Sequence, residues 1–299
     1  MIRLALSIGL FIGLTLSLLM LTSSTQSSQE PPIRVYCAAG VVQPATQVIE
    51  AFQKLDRSVV IELARIGGSG ELAGQIRLEH ETNNHNGADI FITADETFID
   101  DHSNSEIYAE SYAVANQRPV IAVANPSAWK LARLADLTEQ PHLKFGIAAE
   151  QAAIGKLVRD IARRDGILQQ LESLKATESE NVMVLAQALV AGSLDAAVVW
   201  DATVAQINAA EQDAGHPTLR IAAFADSTNQ FYGRVKVGVV QKPAGTTPAA
   251  RNLAQFLANS EAAQIAFERA GFGSAESIES HPRSSSHRRV DRQQHDRHP

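Results

Sequence analysis

A regular alternation of strand-like and helix-like segments between residues 33 and 279 constrains the fold of this chain more than any other feature. Short apolar runs, as in residues 33–38 and 88–94, predict buried strands. The first run leads to Pro44, which suits the first turn of a helix, and then to apolar residues at helical spacing: Ala45, Val48, Ile49 and Phe52. Strands that alternate with helices predict an α/β protein with largely parallel sheets and helices on both faces.

The strand–helix units are too numerous for one small sheet, so we expect two lobes. The chain crosses between them near residues 115–122 and 230–238, and both crossings are rich in β-forming residues, which predicts a two-strand hinge. Lobe 1 then comprises residues 33–117 and returns at 231–279, whereas lobe 2 comprises residues 118–230.

The two ends of the chain differ from this middle. Arg3 precedes an almost continuous apolar run over residues 4–21, which predicts that residues 1–28 are a signal peptide or an N-terminal anchor. Either one places the rest of the protein in the periplasm or elsewhere outside the cytoplasm. Residues 280–299 hold one aliphatic side chain and five arginines against two aspartates, which predicts a disordered basic tail.

Composition excludes several classes of function. A formal net charge of −7 argues against a nucleic-acid-binding protein, which normally presents a basic face. A single cysteine in 299 residues excludes a disulfide framework or a thiolate metal cluster within the chain.

Three strand-to-helix junctions are built from small residues, at 37–40, 67–70 and 148–155. In open α/β sheets, ligands bind at the carboxyl ends of strands, where the N-termini of helices direct backbone N–H groups outward. Small side chains allow a ligand to approach the main chain closely. Ser69 is placed either to cap a helix or to donate its hydroxyl to an anion, and the residues alone favour neither role.

Catalytic motifs are incomplete. A nucleophile elbow requires Gly-x-Ser-x-Gly, but a glutamate follows Ser69-Gly where the last glycine belongs, and no Lys–Ser/Thr pair completes a P-loop. Cys37 lacks a histidine in an obvious partner context, so a buried structural thiol is the simpler interpretation. A hydrolase or transferase that uses Cys37 or Ser69 remains the alternative. A solvated Asn-rich loop is favoured over a metal site at His80, His85 and Asp89.

Six segments, spread in order over residues 33–273, carry a resemblance to a known family. They are VYCAAGVVQPATQVIEAFQK, IGGSGELAGQI, ADIFITADETFID, RPVIAVANPS, AIGKLVRDIA and ENVMVLAQALVAGSLDAAVVWDATVAQ. Together they resemble the periplasmic molybdate-binding proteins of ABC transporters, within the type II periplasmic binding-protein fold. The resemblance implies a two-lobed α/β receptor, not an enzyme, that works as a monomer without a cofactor or a resident metal.

The family's ligand positions fall on Gly40, Ser69, Ile154, Val182 and Trp200. Ser69 retains the hydroxyl that the family uses, whereas Gly40 stands where a serine is usual and keeps only the backbone N–H. Trp200 replaces a tyrosine, and its indole N–H is a donor only. These two departures leave open whether the anion is molybdate, tungstate or another tetrahedral oxyanion such as sulfate or phosphate.

The resemblance therefore predicts a receptor that captures an oxyanion by lobe closure and delivers it to the permease of an ABC importer. A sensor that binds the same ligand for signalling, without a transporter, is the second alternative. Its sequence would look the same, because the two functions differ only in the partner.

Overall fold

The computed structural model of the protein describes residues 31–174, 176–215, 218–243 and 245–275. The expected leader or anchor at 1–28 and the expected tail at 280–299 lie outside the described residues. Within the described ranges, no helix combines the length and the apolar character needed to cross a membrane.

The described chain forms two sheets surrounded by helices. The strands are β1 (Ile33–Ala38), β2 (Ile61–Gly67), β3 (Ile90–Thr93), β4 (Tyr108–Gln117), β5 (Pro119–Asn125), β6 (Phe145–Ala148), β7 (Thr177–Ser179), β8 (Ala196–Trp200), β9 (Thr218–Phe224), β10 (Gly233–Val240) and β11 (Gly273–Ser274). The helices are α1 (Val42–Leu55), α2 (Ser69–Glu81), α3 (Thr97–Asp100), α4 (Asp136–Glu139), α5 (Ala153–Arg164), α6 (Leu168–Ser173), α7 (Val182–Val190), α8 (Asp201–Ala214), α9 (Pro248–Asn259) and α10 (Glu261–Arg269). Short 3₁₀ turns occupy Ala39–Val41 and His102–Asn104.

The six-stranded sheet of lobe 1 has the order β11-β4-β10-β3-β1-β2, and the five-stranded sheet of lobe 2 has the order β7-β6-β8-β5-β9. The predicted two-lobed α/β class is thus confirmed, but the sheets are mixed rather than largely parallel. Strands β1, β2 and β3 are mutually parallel, as are β6, β7 and β8. The pairings of β4, β5, β9, β10 and β11 are antiparallel, because β10 and β11 run against the other strands of the first sheet and β5 runs against the other strands of the second.

Alternating side chains of β1 explain why helices cover both faces of the first sheet. Val35 and Cys37 belong to the buried cluster that includes the apolar side of α1. Tyr36 points to the opposite face, where it belongs to a separate buried cluster with Leu72 and Ile76 of α2. Successive side chains of a strand point to opposite faces, so one short strand anchors two layers of helices.

The first crossing between the lobes is β-structured, as expected. Arg118 alone separates β4 from β5, and its backbone N–H donates to Asp201 Oδ1 at 2.9 Å. Its Nε lies 3.3 Å from Asp201 Oδ2, and its guanidinium stacks over the Phe224 ring at 4.2 Å from the centroid. The start of α8 is therefore fastened to this crossing.

The second crossing, expected near residues 230–238, lies in strand β10 from Gly233 onward, and the irregular residues 225–232 lead into it. In this irregular segment the Asp226 carboxylate accepts hydrogen bonds from backbone N–H groups, as the carbonyl groups of a neighbouring strand do in a sheet. It accepts from Gln230 N at 2.6 Å and from Phe231 N at 2.8 Å. Arg164, the last residue of α5, donates to the same carboxylate at 2.7 Å. A buried carboxylate with this many donors holds the crossing in one shape.

Candidate ligand-binding site

One small cavity, of about 30 Å³, lies where the two lobes meet. All five residues predicted for the site line it: Gly40, Ser69, Ile154, Val182 and Trp200. The first two come from lobe 1 and the other three from lobe 2. The structure therefore brings together residues that are up to 160 positions apart in the sequence, since Gly40 and Trp200 share one cavity.

The starts of helices supply most of the wall. The 3₁₀ turn at Ala39–Val41, helix α2 and helix α5 all begin at the cavity, and none of them has a hydrogen bond from a side-chain cap. Helix α7 also begins there, after Asn181, whose side chain accepts from Met183 N at 2.9 Å. The first N–H groups of a helix lack an intrahelical acceptor and carry partial positive charge. Donors from both lobes thus converge on one space.

Formal positive charge does not contribute to this wall. Among the described lining residues none is lysine, arginine or histidine, and Glu180 is the one charged residue. The Glu180 side chain is exposed, and its Oε1 accepts from Gln151 Nε2 at 2.7 Å. Arg65 and Arg118, which do not line the cavity, are engaged elsewhere: Arg65 with Tyr36 and Arg118 with Asp201. Any positive potential in this wall therefore comes from backbone N–H groups and not from basic side chains.

Ser69 does not cap α2. The N-cap is Gly68, with extended backbone angles, and Ser69 is the first helical residue. Its Oγ accepts from Ala94 N at 3.2 Å, and the residue is 4% exposed. Of the two roles that the sequence left open, the capping role is wrong, and the hydroxyl proton has no acceptor among the described residues.

Trp200 ends β8 and is 2% exposed. Its ring packs against the start of β10 so closely that a Cβ at Gly233 would lie 2.7 Å from the indole Cη2. No described residue accepts from the indole N–H, which is a donor only. The side chain thus adds one donor group to the wall of the cavity.

Close packing of α5 on the end of β6 places the Ile154 backbone at the cavity. A Cβ at Gly155 would overlap the Ala149 carbonyl oxygen, so only glycine permits this approach. Arg159, which is almost fully buried, reinforces the contact by donating to the Ala148 carbonyl at 3.0 Å. The small-residue junction at 148–155 had indicated Gly155 in the sequence, but no sequence pattern indicated that Arg159 supports this contact.

Further residues that sequence reasoning missed connect the lobes directly. Gln206, on α8 of lobe 2, donates from Nε2 to the Gly40 carbonyl of lobe 1 at 3.1 Å. A Cβ at Gly68 would lie 3.4 Å from the Glu180 carbonyl oxygen. These contacts mean that the lobes are closed over the cavity in this structure.

The thiol of Cys37 is fully buried within β1, and burial raises its pKa far above the ordinary value. A protonated thiol without access to solvent is a poor nucleophile. The residue packs in the core of lobe 1, as the simpler interpretation expected.

The loop around His80 and His85 is not arranged as a metal site. Asp89 accepts from Arg34 N at 2.8 Å and pairs with Lys242 Nζ at 2.6 Å. Across the part of the chain that the structure describes, no three His, Cys, Asp or Glu side chains are grouped to hold a metal ion.

Residues 33–273 match the family model described as bacterial extracellular solute-binding protein. The chain belongs to this family, whose members bind solutes. By sequence, no curated protein matches the chain.

Solved structures share the fold at low sequence identity. A periplasmic molybdate-binding protein from Azotobacter vinelandii is 19% identical, with a TM-score of 0.59 over 80% of this chain and 98% of that one. An iron-bound protein from Pseudomonas aeruginosa is 16% identical, with a TM-score of 0.63 over 80% of this chain and 84% of that one. A periplasmic thiamin-binding protein is 14% identical, with a TM-score of 0.66 over 82% and 83%. Because their ligands differ, these likenesses establish the two-lobed fold alone.

Proposed function

We propose that this protein is a periplasmic receptor that captures a tetrahedral oxyanion, molybdate or tungstate before others, and delivers it to the permease of an ABC importer. One observation carries the proposal: helix starts and donor side chains from both lobes surround a cavity that has no basic side chain. A dianion with four oxygens needs many donors and no acceptors, and backbone N–H groups at helix starts provide them.

The size of the cavity favours a compact ion over an organic ligand. A volume of about 30 Å³ accommodates only a few non-hydrogen atoms. Thiamin or a sugar phosphate needs a pocket roughly 10 to 30 times larger, since pockets for such ligands span about 300–1,000 Å³.

The chemistry of the lining favours an anion over ferric iron. Metal cations are held by carboxylate, imidazole, thiolate or phenolate groups, and the described lining has no histidine, cysteine or tyrosine. Its one carboxylate, on Glu180, is already bonded to Gln151. Helix N-termini also repel a cation through their partial positive charge.

Closure of the lobes gives the proposed transport cycle its physical basis. An anion out of water must have nearly all its oxygens satisfied, and donors from one lobe alone cannot surround it. Binding therefore stabilises the closed form, in which lobe contacts such as that of Gln206 with Gly40 are made. A permease that recognises the closed form distinguishes loaded from empty receptor.

Isothermal titration calorimetry of the purified chain with molybdate, tungstate, sulfate, phosphate, ferric citrate and thiamin tests the proposal. We expect one-to-one binding of molybdate and tungstate at micromolar Kd or tighter, with a matching rise in Tm. Binding of ferric citrate or thiamin alone, or no oxyanion bound more tightly than millimolar, would contradict it. Transport is tested separately, by the ATPase activity of the cognate importer with and without the loaded receptor.

A further inference from the structure

We infer that Gly70 determines how far the two lobes close, and thereby restricts the site to compact anions. The inference rests on the proposed function and adds to it the residue that sets the closed distance. Gly70 is the second residue of α2, next to Ser69, but it does not itself line the cavity. It faces the opposite lobe at the loop between β6 and α5.

The contact across the cleft is between main chains. A Cβ built on Gly70 would overlap the carbonyl oxygen of Gln151 in lobe 2 and would lie 3.4 Å from the Phe98 ring. The overlapped atom belongs to the backbone and not to the end of a flexible side chain, so a methyl group fits only if the two segments move apart.

The Gln151 carbonyl is held in place by its neighbours. Ala149 N donates to the Ser179 carbonyl at 2.9 Å. Within the loop, Ala152 N donates to the Ala149 carbonyl, also at 2.9 Å. The Gln151 side chain is fixed in turn by Glu180 at 2.7 Å. Because this loop is tied to β7 and α5, a larger residue at position 70 displaces the lobes rather than the loop.

A glycine at this position is costly for the helix by itself. Within a helix, glycine is less favourable than alanine. Gly74, one turn further along α2, has no atom within 4 Å of an added Cβ. The two glycines thus occupy the same helix, but only Gly70 meets the other lobe.

The geometry gives Gly70 its effect on ligand choice. Ser69 lies beside it, so any separation at position 70 moves the Ser69 hydroxyl and the start of α2 away from donors of lobe 2. Hydrogen bonds weaken steeply beyond about 3.2 Å, and a compact anion cannot bridge the wider gap. A larger anion loses less binding affinity, because it can still form hydrogen bonds to both lobes.

The test compares Gly70→Ala with Gly74→Ala and the parent chain. For Gly70→Ala we expect a molybdate Kd roughly 10- to 100-fold weaker, because overpacking opposes closure; this fold-change corresponds to about 1.4–2.8 kcal/mol. We also expect no contraction in small-angle X-ray scattering at saturating molybdate, whereas Gly74→Ala and the parent contract. The ratio of the Kd for glycerol 3-phosphate to the Kd for molybdate should be smaller in Gly70→Ala than in the parent. An unchanged Kd together with normal contraction in Gly70→Ala overturns the inference.

A second measurement keeps the inference separate from the proposed function. If the parent binds no oxyanion, the proposed function fails, and crystal structures of the closed forms of Gly70→Ala and Gly74→Ala are then compared. The distance from Gln206 Nε2 to the Gly40 carbonyl oxygen, 3.1 Å in the parent, should lengthen in Gly70→Ala and stay the same in Gly74→Ala. A distance in Gly70→Ala that matches the parent overturns the inference whatever the ligand is.

Discussion

The backbone N–H of Ala94, the residue after β3, donates at 3.2 Å to Oγ of Ser69, the first residue of α2. This bond occupies an acceptor site of the serine oxygen and leaves its proton to be donated. An anion in the cavity is the acceptor that completes the arrangement under the proposed function. The Ala94 bond therefore orients a donor that would otherwise rotate freely.

Replacing Ser69 by alanine should weaken molybdate binding by about 1–3 kcal/mol, because one charge-assisted hydrogen bond is lost. Calorimetry measures the Kd, and thermal unfolding reports the separate cost of leaving Ala94 N without its acceptor. Ser58→Ala is the matched control, since Ser58 is exposed and contacts Asp56 in the turn before β2. An unchanged Kd for Ser69→Ala would remove this hydroxyl from the site.

Trp200→Phe tests the indole N–H while an aromatic ring stays in place. We expect molybdate binding to weaken by about 1–2 kcal/mol, since a phenyl ring offers no hydrogen-bond donor. Trp129→Phe is the control, because Trp129 lies outside the lining of the cavity. If the phenylalanine variant binds as tightly as the parent, the indole contributes packing only.

Asp226→Asn tests the hydrogen bonds that the Asp226 carboxylate accepts next to the second crossing. Burial raises the pKa of this carboxyl, but hydrogen bonds from the Thr228 hydroxyl, the Arg164 guanidinium and backbone N–H groups outweigh burial, so the net pKa lies below its ordinary value. A group with a lowered native pKa contributes stability above its unfolded pKa of about 3.9 and loses that contribution as the pH falls through the native value.

Urea unfolding at a series of pH values measures the effect. At pH 7 we expect Asp226→Asn to lower the free energy of unfolding by about 1–3 kcal/mol, and the gap from the parent to narrow below about pH 4. Asp165→Asn serves as control, because Asp165 contacts Arg164 from a more exposed position at 2.8 Å. A gap that stays constant down to pH 3 would assign the effect of the variant to something other than ionisation.

Thiol labelling tests the alternative in which Cys37 is a nucleophile. Because the thiol is fully buried and burial raises its pKa, the native chain should react with a thiol reagent at pH 8 only as fast as it unfolds. In denaturant, one thiol per chain should react at once. Rapid labelling of the native protein would reopen the enzymatic alternative.

The fold was predictable where burial is complete. The predicted strand at 33–38 matches β1 and the one at 88–94 contains β3, because nearly every residue in these two strands is buried. Strand β4 was not predicted as such, since most of its positions are only half-buried and its polar and apolar residues do not alternate clearly. The irregular segment 225–232 before the second crossing was not predicted, because a carboxylate that binds backbone N–H groups resembles any exposed aspartate in sequence.

The candidate site was predictable only in part. Small-residue junctions marked the segments around Gly40, Ser69 and Ile154, whereas the assignments of Val182 and Trp200 depended on the family resemblance. Contacts between the lobes produce no local sequence pattern from which they can be predicted. Gln206 is one polar residue on a helix, and its partner Gly40 is 166 positions away. Such contacts depend on how the lobes meet, which periodicity and composition do not encode.

The lack of basic side chains in the cavity has a kinetic consequence for a protein with a formal net charge of −7. Under the proposed function, the net negative charge repels the anion at long range, and oriented backbone amides attract it only over the last few ångströms. Dissolved salt shortens the range of the repulsion but barely affects dipoles inside the closed cleft. Capture should therefore accelerate as ionic strength rises, while escape remains slow.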